Sequence, residues 1–183
     1  LGRKLAVSGG SVVGIDGMVN SVETILCLAD ELRAEGGITL RTNIDPLDSI
    51  WKDRPSVPLD YAVVHPMKYA GESAESKIAR IRHALRERHV EGMLISALDD
   101  IAWTLNLRGN DVHCNPVVVA YLLISPDKVT LYINPIKLTD EVREYLASIN
   151  VNTDLYENVG NGLLKYSGYN ILLDPNETSY TLY

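Results

Sequence analysis

Two groups of side chains in this sequence are of types that carry chemistry. The first is the run from Asp111 to His113 and Cys114, because Asp, His and Cys are side chains that bind zinc. Adjacent side chains seldom converge on one ion, however, and the sequence has no second Cys/His pair at zinc-finger spacing. The spacing therefore argues against a zinc site in this run.

The second group is the carboxylate pair Asp99 and Asp100, which follows a predicted buried strand. Paired carboxylates in such a position suit a metal-dependent nuclease, with Asp127 and Asp174 as possible further ligands. Helix capping also explains the pair, because carboxylates accept hydrogen bonds from unpaired N–H groups at the start of a helix. No glycine-rich phosphate loop, G-x-S-x-G motif or convincing nucleophile–base set is present. Capping is favoured, and a hydrolase using Asp99 or Asp100 is the alternative.

Both groups lie in a predicted strand–helix–loop–strand unit. The apolar residues 93–96 predict a buried strand, and the Asp pair opens a short helix. The turn at residues 108–110 ends that helix, and a second apolar run covers residues 117–124. One polar loop therefore lies between two buried strands, and loops in that position often carry function.

The surrounding pattern predicts an α/β fold, with a mixed β-sheet flanked by helices on both faces. The elements that support it are a helix from Ser73 through His89, strands at 117–124 and 129–133, a helix opened by Thr139, a strand near 153–156, a helix near 157–166 and a strand at 169–173. Upstream, residues 12–40 predict a strand, a helix capped by Ser21 and a second, parallel strand. This β-α-β unit is too small for independent stability, so we expect that its missing half lies before Leu1 or that another surface covers it.

Composition excludes several classes of protein. The net charge is −7, and residues 92–183 hold 5 Lys/Arg against 11 Asp/Glu, so a nucleic-acid partner is not expected. No apolar run approaches the roughly 20 residues that span a bilayer, and residues 1–7 lack the apolar region of a secretory signal. The two cysteines, Cys27 and Cys114, do not form a disulfide framework and favour a reducing, cytoplasmic location.

The central stretch resembles the middle domain of three-domain Xaa-Pro aminopeptidases (aminopeptidase P). The residues that carry this resemblance are Ser96 through Trp103, Asn106-Leu107-Arg108-Gly109-Asn110-Asp111-Val112 and Asn115-Pro116-Val117. Residues 50–55, Ile-Trp-Lys-Asp-Arg-Pro, are similar to the linker between the first and middle domains of that family. Residues 174–180 are similar to the last strand and the turn before its catalytic domain.

The resemblance implies creatinase/prolidase N-terminal domains of ribonuclease H-like topology. Residues 1–66 would be the end of the first domain with its linker, and residues 67–183 the middle domain. Members of the family release the N-terminal residue that precedes proline, using two metal ions, usually manganese, held by two Asp, one His and two Glu in a separate "pita-bread" domain. None of those ligands can be placed in this chain, so we expect no peptidase activity and no cofactor in this region by itself.

The resemblance also suggests a role for the loop at residues 108–115. We expect it to face the catalytic cleft and to serve substrate access or interdomain contact, with Arg108, Asp111 and His113 as its candidate side chains. Arg108 would pair with a substrate carboxylate or with an acidic group of the catalytic domain, or else lock the turn by pairing with Asp111. For Trp103, a place in the core is favoured over a role as a platform for the substrate.

Expected partners are the protein's own catalytic domain, short proline-containing peptides and, as an open possibility, a second copy of the chain. The alternative function is a catalytically inactive, peptidase-like module that binds proteins, of the kind found in histone chaperones.

Overall fold

The computed structural model describes residues 11–183, which form two compact units. Unit 1 contains the described residues up to Ser56 together with Asp174–Tyr183, and unit 2 contains Val57–Leu173. The first ten residues of the predicted segment 1–66 lie outside the described residues. No helix within residues 11–183 is both long and apolar enough to cross a membrane.

Unit 1 has the predicted β-α-β arrangement. Strands β1 (Val12–Gly14) and β2 (Thr39–Arg41) pair in parallel, and helix α1 (Val22–Gly36) connects them. The helix begins where the Ser21 hydroxyl accepts a hydrogen bond from Thr24 N–H, and it ends at Gly37, whose φ of 66° is left-handed. The predicted parallel pairing of these strands is confirmed.

The last ten residues also belong to unit 1. Their backbone pairs with the stretch that precedes and opens α1, since Val22 N–H donates to Thr178 O (3.0 Å) and Tyr180 N–H donates to Asn20 O (2.9 Å). The compact units therefore divide the chain at different residues from the predicted domains. The assignment of residues 1–66 and 67–183 to first and middle creatinase-like domains stays a prediction.

Unit 2 contains the mixed sheet that the sequence predicts. Its strands are β4 (Gly92–Ile95), β6 (Ala120–Ile124), β7 (Val129–Ile133), β8 (Val151–Asp154) and β9 (Ile171–Leu172), in the spatial order β8-β7-β6-β4-β9. The three central strands pair antiparallel, and the two edge strands pair in parallel. A separate antiparallel pair, β3 (Val63–Val64) with β5 (Leu107–Arg108), was not predicted.

Helices cover both faces of this sheet. The helices of unit 2 are α2 (Met67–Ala70), α3 (Ala74–Glu87), α4 (Leu98–Leu105), α5 (Asp140–Ser148) and α6 (Val159–Leu164). Leu131 and Ile133 of β7 share one buried core with α3, α4 and α5. Because side chains alternate along a strand, Tyr132 between them faces the opposite side, where it meets Gly162 of α6.

Several boundaries differ from the predicted ones. The strand predicted at 117–124 begins only at Ala120, because the backbone before it folds into a hairpin with residues 109–112. The helix predicted near 157–166 is a 3₁₀ turn, Tyr156–Asn158, followed by the six residues of α6. The strands predicted near 153–156 and at 169–173 lie at Val151–Asp154 and Ile171–Leu172. Pairing partners set these ends, and local sequence does not show them.

Asp127, named above as a possible metal ligand, lies in the turn between β6 and β7 and helps to close that turn. Its carboxylate accepts hydrogen bonds from the hydroxyls of Tyr166 (2.6 Å) and Ser125 (2.8 Å). These two bonds, that from Tyr166 first, hold the pKa of Asp127 below its ordinary value of 3.8. Because the folded state has the lower pKa, these bonds stabilise the fold above about pH 3.8 and that contribution is lost as the pH falls through the folded pKa.

We therefore expect Tyr166→Phe to lower the free energy of unfolding at neutral pH. The difference from wild type should shrink as the pH falls below 3.8, the ordinary pKa of the carboxyl group. The measurement is the free energy of unfolding of both proteins from pH 7 to pH 2. Tyr169→Phe is the matched control, because Tyr169 packs against the Tyr166 ring (5.9 Å between centroids) but makes no bond to Asp127. The expectation would be contradicted if the free energies of unfolding of wild type and Tyr166→Phe differed by the same amount from pH 7 to pH 2.

Candidate functional site

The loop predicted to carry function, residues 108–115, folds for most of its length into a hairpin of residues 109–118. Three backbone hydrogen bonds close it, from Gly109 N–H to Pro116 O (3.3 Å), from Asp111 N–H to Val117 O (3.2 Å) and from Asn115 N–H to Val112 O (3.1 Å). Cys114 has a φ of 61°, the left-handed conformation that lets the chain turn back. The hairpin tip, residues 112–115, is exposed and contains His113.

Asp111 anchors the base of this hairpin. Its Oδ2 accepts a short hydrogen bond from Lys137 Nζ and a second from Val119 N–H (2.6 Å). Both charged side chains are almost fully inaccessible, at 0% exposure for Asp111 and 1% for Lys137. Asp111 Oδ1 is also buried, and no hydrogen-bond partner for it is found within residues 11–183. Asp111 is therefore a structural anchor for the hairpin, and its side chain is out of reach of a ligand.

Lys137 is the residue of this site that sequence reasoning missed. It lies in a 3₁₀ turn, Pro135–Lys137, that follows β7, and it is 26 positions away from Asp111. Only the antiparallel pairing of β6 with β7 returns the chain toward the hairpin, so no local pattern indicates the pair.

Arg108 does not pair with Asp111, so that expectation is wrong. Its Nη1 instead donates to Ala102 O (2.8 Å) and Leu107 O (2.7 Å). Ala102 lies in the last turn of α4, where carbonyl groups carry partial negative charge, and its carbonyl oxygen also accepts from the N–H of the C-cap residue Asn106. The half-buried guanidinium group therefore caps the end of this helix.

A second cation, Lys77, meets the same helix end. Its Nζ donates to Trp103 O (2.8 Å) and Asn106 Oδ1 (2.7 Å) and lies 4.5 Å from the centre of the Trp103 ring. Lys77 is only 2% exposed, and burial lowers its pKa. The charge of Glu72 opposes that shift, while those of Arg108 and Arg80 add to it.

Trp103 is not a core residue, contrary to the expectation. Its side chain is 44% exposed, and Arg80 Cζ lies 5.6 Å from the centre of its ring. Glu72 is the nearby carboxylate, and it accepts two hydrogen bonds from Arg80 (3.0 and 2.8 Å), which lower the pKa of Glu72. The end of α4 thus presents an exposed aromatic ring with two cations, Lys77 and Arg80, close to it. Within residues 11–183, Arg80 is paired with a carboxylate and Lys77 is not.

The remaining candidates are the carboxylate pair Asp99 and Asp100 and the run from Asp111 to Cys114. Asp99 and Asp100 lie in the first turn of α4, where they complement the helix dipole, and Asp99 Oδ1 accepts a hydrogen bond from Asp100 N–H (3.2 Å). The N-cap residue itself is Ala97. Within residues 11–183, no group of three or more His, Cys, Asp or Glu side chains is placed to hold a metal ion. The structure does not bring Asp111, His113 and Cys114 together as metal ligands.

The chain was compared with models of known protein families. Residues 53–183 match the model of the creatinase/prolidase N-terminal domain. The chain belongs to this family. The match includes the 109–118 hairpin, the buried Asp111–Lys137 pair and the cations at the end of α4, so these features lie inside the family's domain.

The curated proteins that resemble this chain are much longer than it is. A probable Xaa-Pro aminopeptidase P of Fusarium vanettenii is 38% identical over 83% of this chain and 25% of its own length. One of Leptosphaeria maculans is 39% identical over 76% of this chain and 23% of its own length. The chain therefore spans about a quarter of the curated relatives that it matches.

A solved structure shares the fold over nearly the whole chain. The X-prolyl aminopeptidase from Caenorhabditis elegans, described as a cytosolic enzyme with a di-nuclear active site, matches with a TM-score of 0.84 and 25% identity. The match covers 95% of this chain and 29% of the other. These comparisons do not support the alternative of an inactive protein-binding module.

Proposed function

We propose that this chain is the N-terminal, non-catalytic region of a metal-dependent Xaa-Pro aminopeptidase that releases the N-terminal residue preceding proline. The main support is the fold match of 95% of this chain to 29% of an X-prolyl aminopeptidase. The sequence relatives, which are named as Xaa-Pro aminopeptidases, agree with it.

The metal ions belong elsewhere in the proposed enzyme. The described residues do not provide a ligand set, because Asp111 is committed to Lys137 and no other cluster of donors converges. We propose that two ions, manganese in the family, bind in the catalytic domain and activate the water that attacks the peptide bond. Residues 1–66 and 67–183 would then be the end of the first and the whole of the middle creatinase-like domain of a cytoplasmic enzyme.

The role of this region is to shape access to that catalytic domain, its principal partner. The 109–118 hairpin is suited to this role because its base is buried and hydrogen-bonded while its tip, with His113, is exposed. A loop held in one conformation loses little entropy when a peptide or another domain packs against it. Self-association of the enzyme is compatible with this arrangement.

The test is peptidase activity of the full-length protein in the presence of Mn²⁺. We expect release of free alanine from Ala-Pro-Leu, loss of that activity with a chelator, and little release from the matched peptide Ala-Ala-Leu. The 183-residue chain alone should release none. The absence of Ala-Pro cleavage by the full-length protein, or metal-dependent cleavage by this chain alone, would contradict the proposal.

A further inference from the structure

The guanidinium group of Arg108 uses one edge for hydrogen bonds within the protein, and its other edge makes none with the described residues. Its Nη1 uses both of its hydrogens, on Ala102 O and Leu107 O. The guanidinium group has five N–H donors, so Nε and Nη2 keep three. Within residues 11–183 no acceptor meets those three donors. The Nε/Nη2 edge is a fork that accepts a carboxylate through two parallel hydrogen bonds.

The charge around this edge favours an anion. The carboxylate expected beside Arg108, that of Asp111, is held by Lys137. The carboxylate of Glu72 is held by Arg80. Lys77 is close enough to Arg108 for their charges to interact, and no carboxylate in the described part of the chain lies within ion-pair distance of Lys77 Nζ. Two cations therefore share the end of α4, and an incoming carboxylate would relieve their mutual repulsion.

Two exposed apolar side chains belong to residues that neighbour Arg108 or its hydrogen-bond partner Ala102. Val63 lies directly opposite Arg108 in the β3–β5 pair and is 53% exposed. The exposed ring of Trp103 follows Ala102, whose carbonyl group holds Arg108. Apolar side chains of a peptide would contact these two surfaces, and Arg108 is already held in place, so little ordering is required on binding.

We propose that Arg108 binds the C-terminal carboxylate of the peptide substrate through its Nε and Nη2 atoms. This inference rests on the proposed function, and it adds a preference among substrates: peptides whose free C-terminus reaches Arg108 would bind more tightly than the same peptides without it. Short peptides with a free carboxylate would bind productively, and the same peptides with an amidated C-terminus would lose the paired hydrogen bonds.

The experiment compares kcat/KM of the full-length enzyme for Ala-Pro-Leu and for Ala-Pro-Leu-amide. We expect the amide to be cleaved at least about tenfold less efficiently, which is the loss that a charge-assisted hydrogen bond produces. The difference should lie mainly in KM, because the carboxylate is remote from the reacting bond and binds equally in ground and transition states. In Arg108→Gln the ratio of the two kcat/KM values should fall to about one, since the fork is lost.

Two further variants separate recognition from support of the fold. Arg108→Lys keeps the charge but not the fork, so it should retain part of the preference for the free acid. Arg82→Gln is the matched control, because Arg82 is also half-buried and donates to two backbone carbonyls, Pro126 O (3.0 Å) and Lys128 O (3.1 Å). Arg82→Gln should leave the ratio of the two kcat/KM values as in wild type. Melting temperatures should show that each variant is folded.

Three results would overturn the inference. A ratio near one in wild type means that the C-terminus is not recognised, while the proposed peptidase function stands. An unchanged ratio in a folded Arg108→Gln variant means that Arg108 caps α4 or pairs with a carboxylate of the protein instead. No cleavage of either peptide means that the proposed function itself fails.

Discussion

Replacing Asp111 with alanine is expected to destabilise unit 2 by about 3–5 kcal/mol, the cost of removing one partner of a buried ion pair. Lys137 is 1% exposed, so the variant leaves its ammonium group buried without a counter-ion. Val119 N–H also loses its acceptor. The measurement is urea unfolding in a Trp51→Phe background, in which Trp103 of unit 2 is the single tryptophan.

Two controls identify the ion pair as the cause of this loss. Asp111→Leu combined with Lys137→Met removes both charges and should recover part of the stability, because no unpaired charge remains. Glu87→Ala breaks the exposed contact with His83 (3.4 Å) in the same unit and should change the free energy of unfolding by less than about 0.5 kcal/mol. A loss below about 1 kcal/mol in Asp111→Ala would show that the pair is not an anchor.

Gly162→Ala is expected to destabilise unit 2 by about 1–3 kcal/mol through overpacking. A Cβ atom at this position would lie 1.8 Å from the Tyr132 hydroxyl oxygen and 2.5 Å from its Cζ. Tyr132 is buried in the middle of β7, so its ring has little room to move away. Urea unfolding in the same Trp51→Phe background measures the change.

Gly168→Ala is the matched control for this prediction. It adds the same methyl group six residues further along the chain. Apart from the adjacent residues, no atom within residues 11–183 lies within 4 Å of this added Cβ, so the free energy of unfolding should change by less than about 0.5 kcal/mol. Equal stabilities of the two alanine variants would contradict the close approach of α6 to Tyr132.

Local signals were sufficient for most of the secondary structure. The helix after Ser21 begins and ends where the capping serine and the glycine pair predict, because those residues satisfy backbone groups within a few positions of themselves. The strands on either side of the 125–128 turn were likewise predictable from apolar runs and a turn motif. The family resemblance needed only residues that are close in sequence, and the match over residues 53–183 confirms it.

The candidate site was predictable only in outline. The position of the exposed loop follows from two apolar runs, and residues 112–115 are indeed exposed. The roles inside it did not follow, because an ion pair is decided by which charges become neighbours after folding. Asp111 has Arg108 three positions away, yet its partner is Lys137, which the sheet brings from 26 positions away.

By itself, then, the sequence determined the α/β class, the β-α-β unit, the exposed loop and the family, since each depends on periodicity or on motifs within short stretches. Tertiary structure alone decided that Asp111 is buried, that Trp103 is at the surface among cations, and that the last ten residues return to unit 1. The physical reason is that burial and charge pairing depend on distances in space, and those are set by strand order and packing between segments that are far apart in the chain.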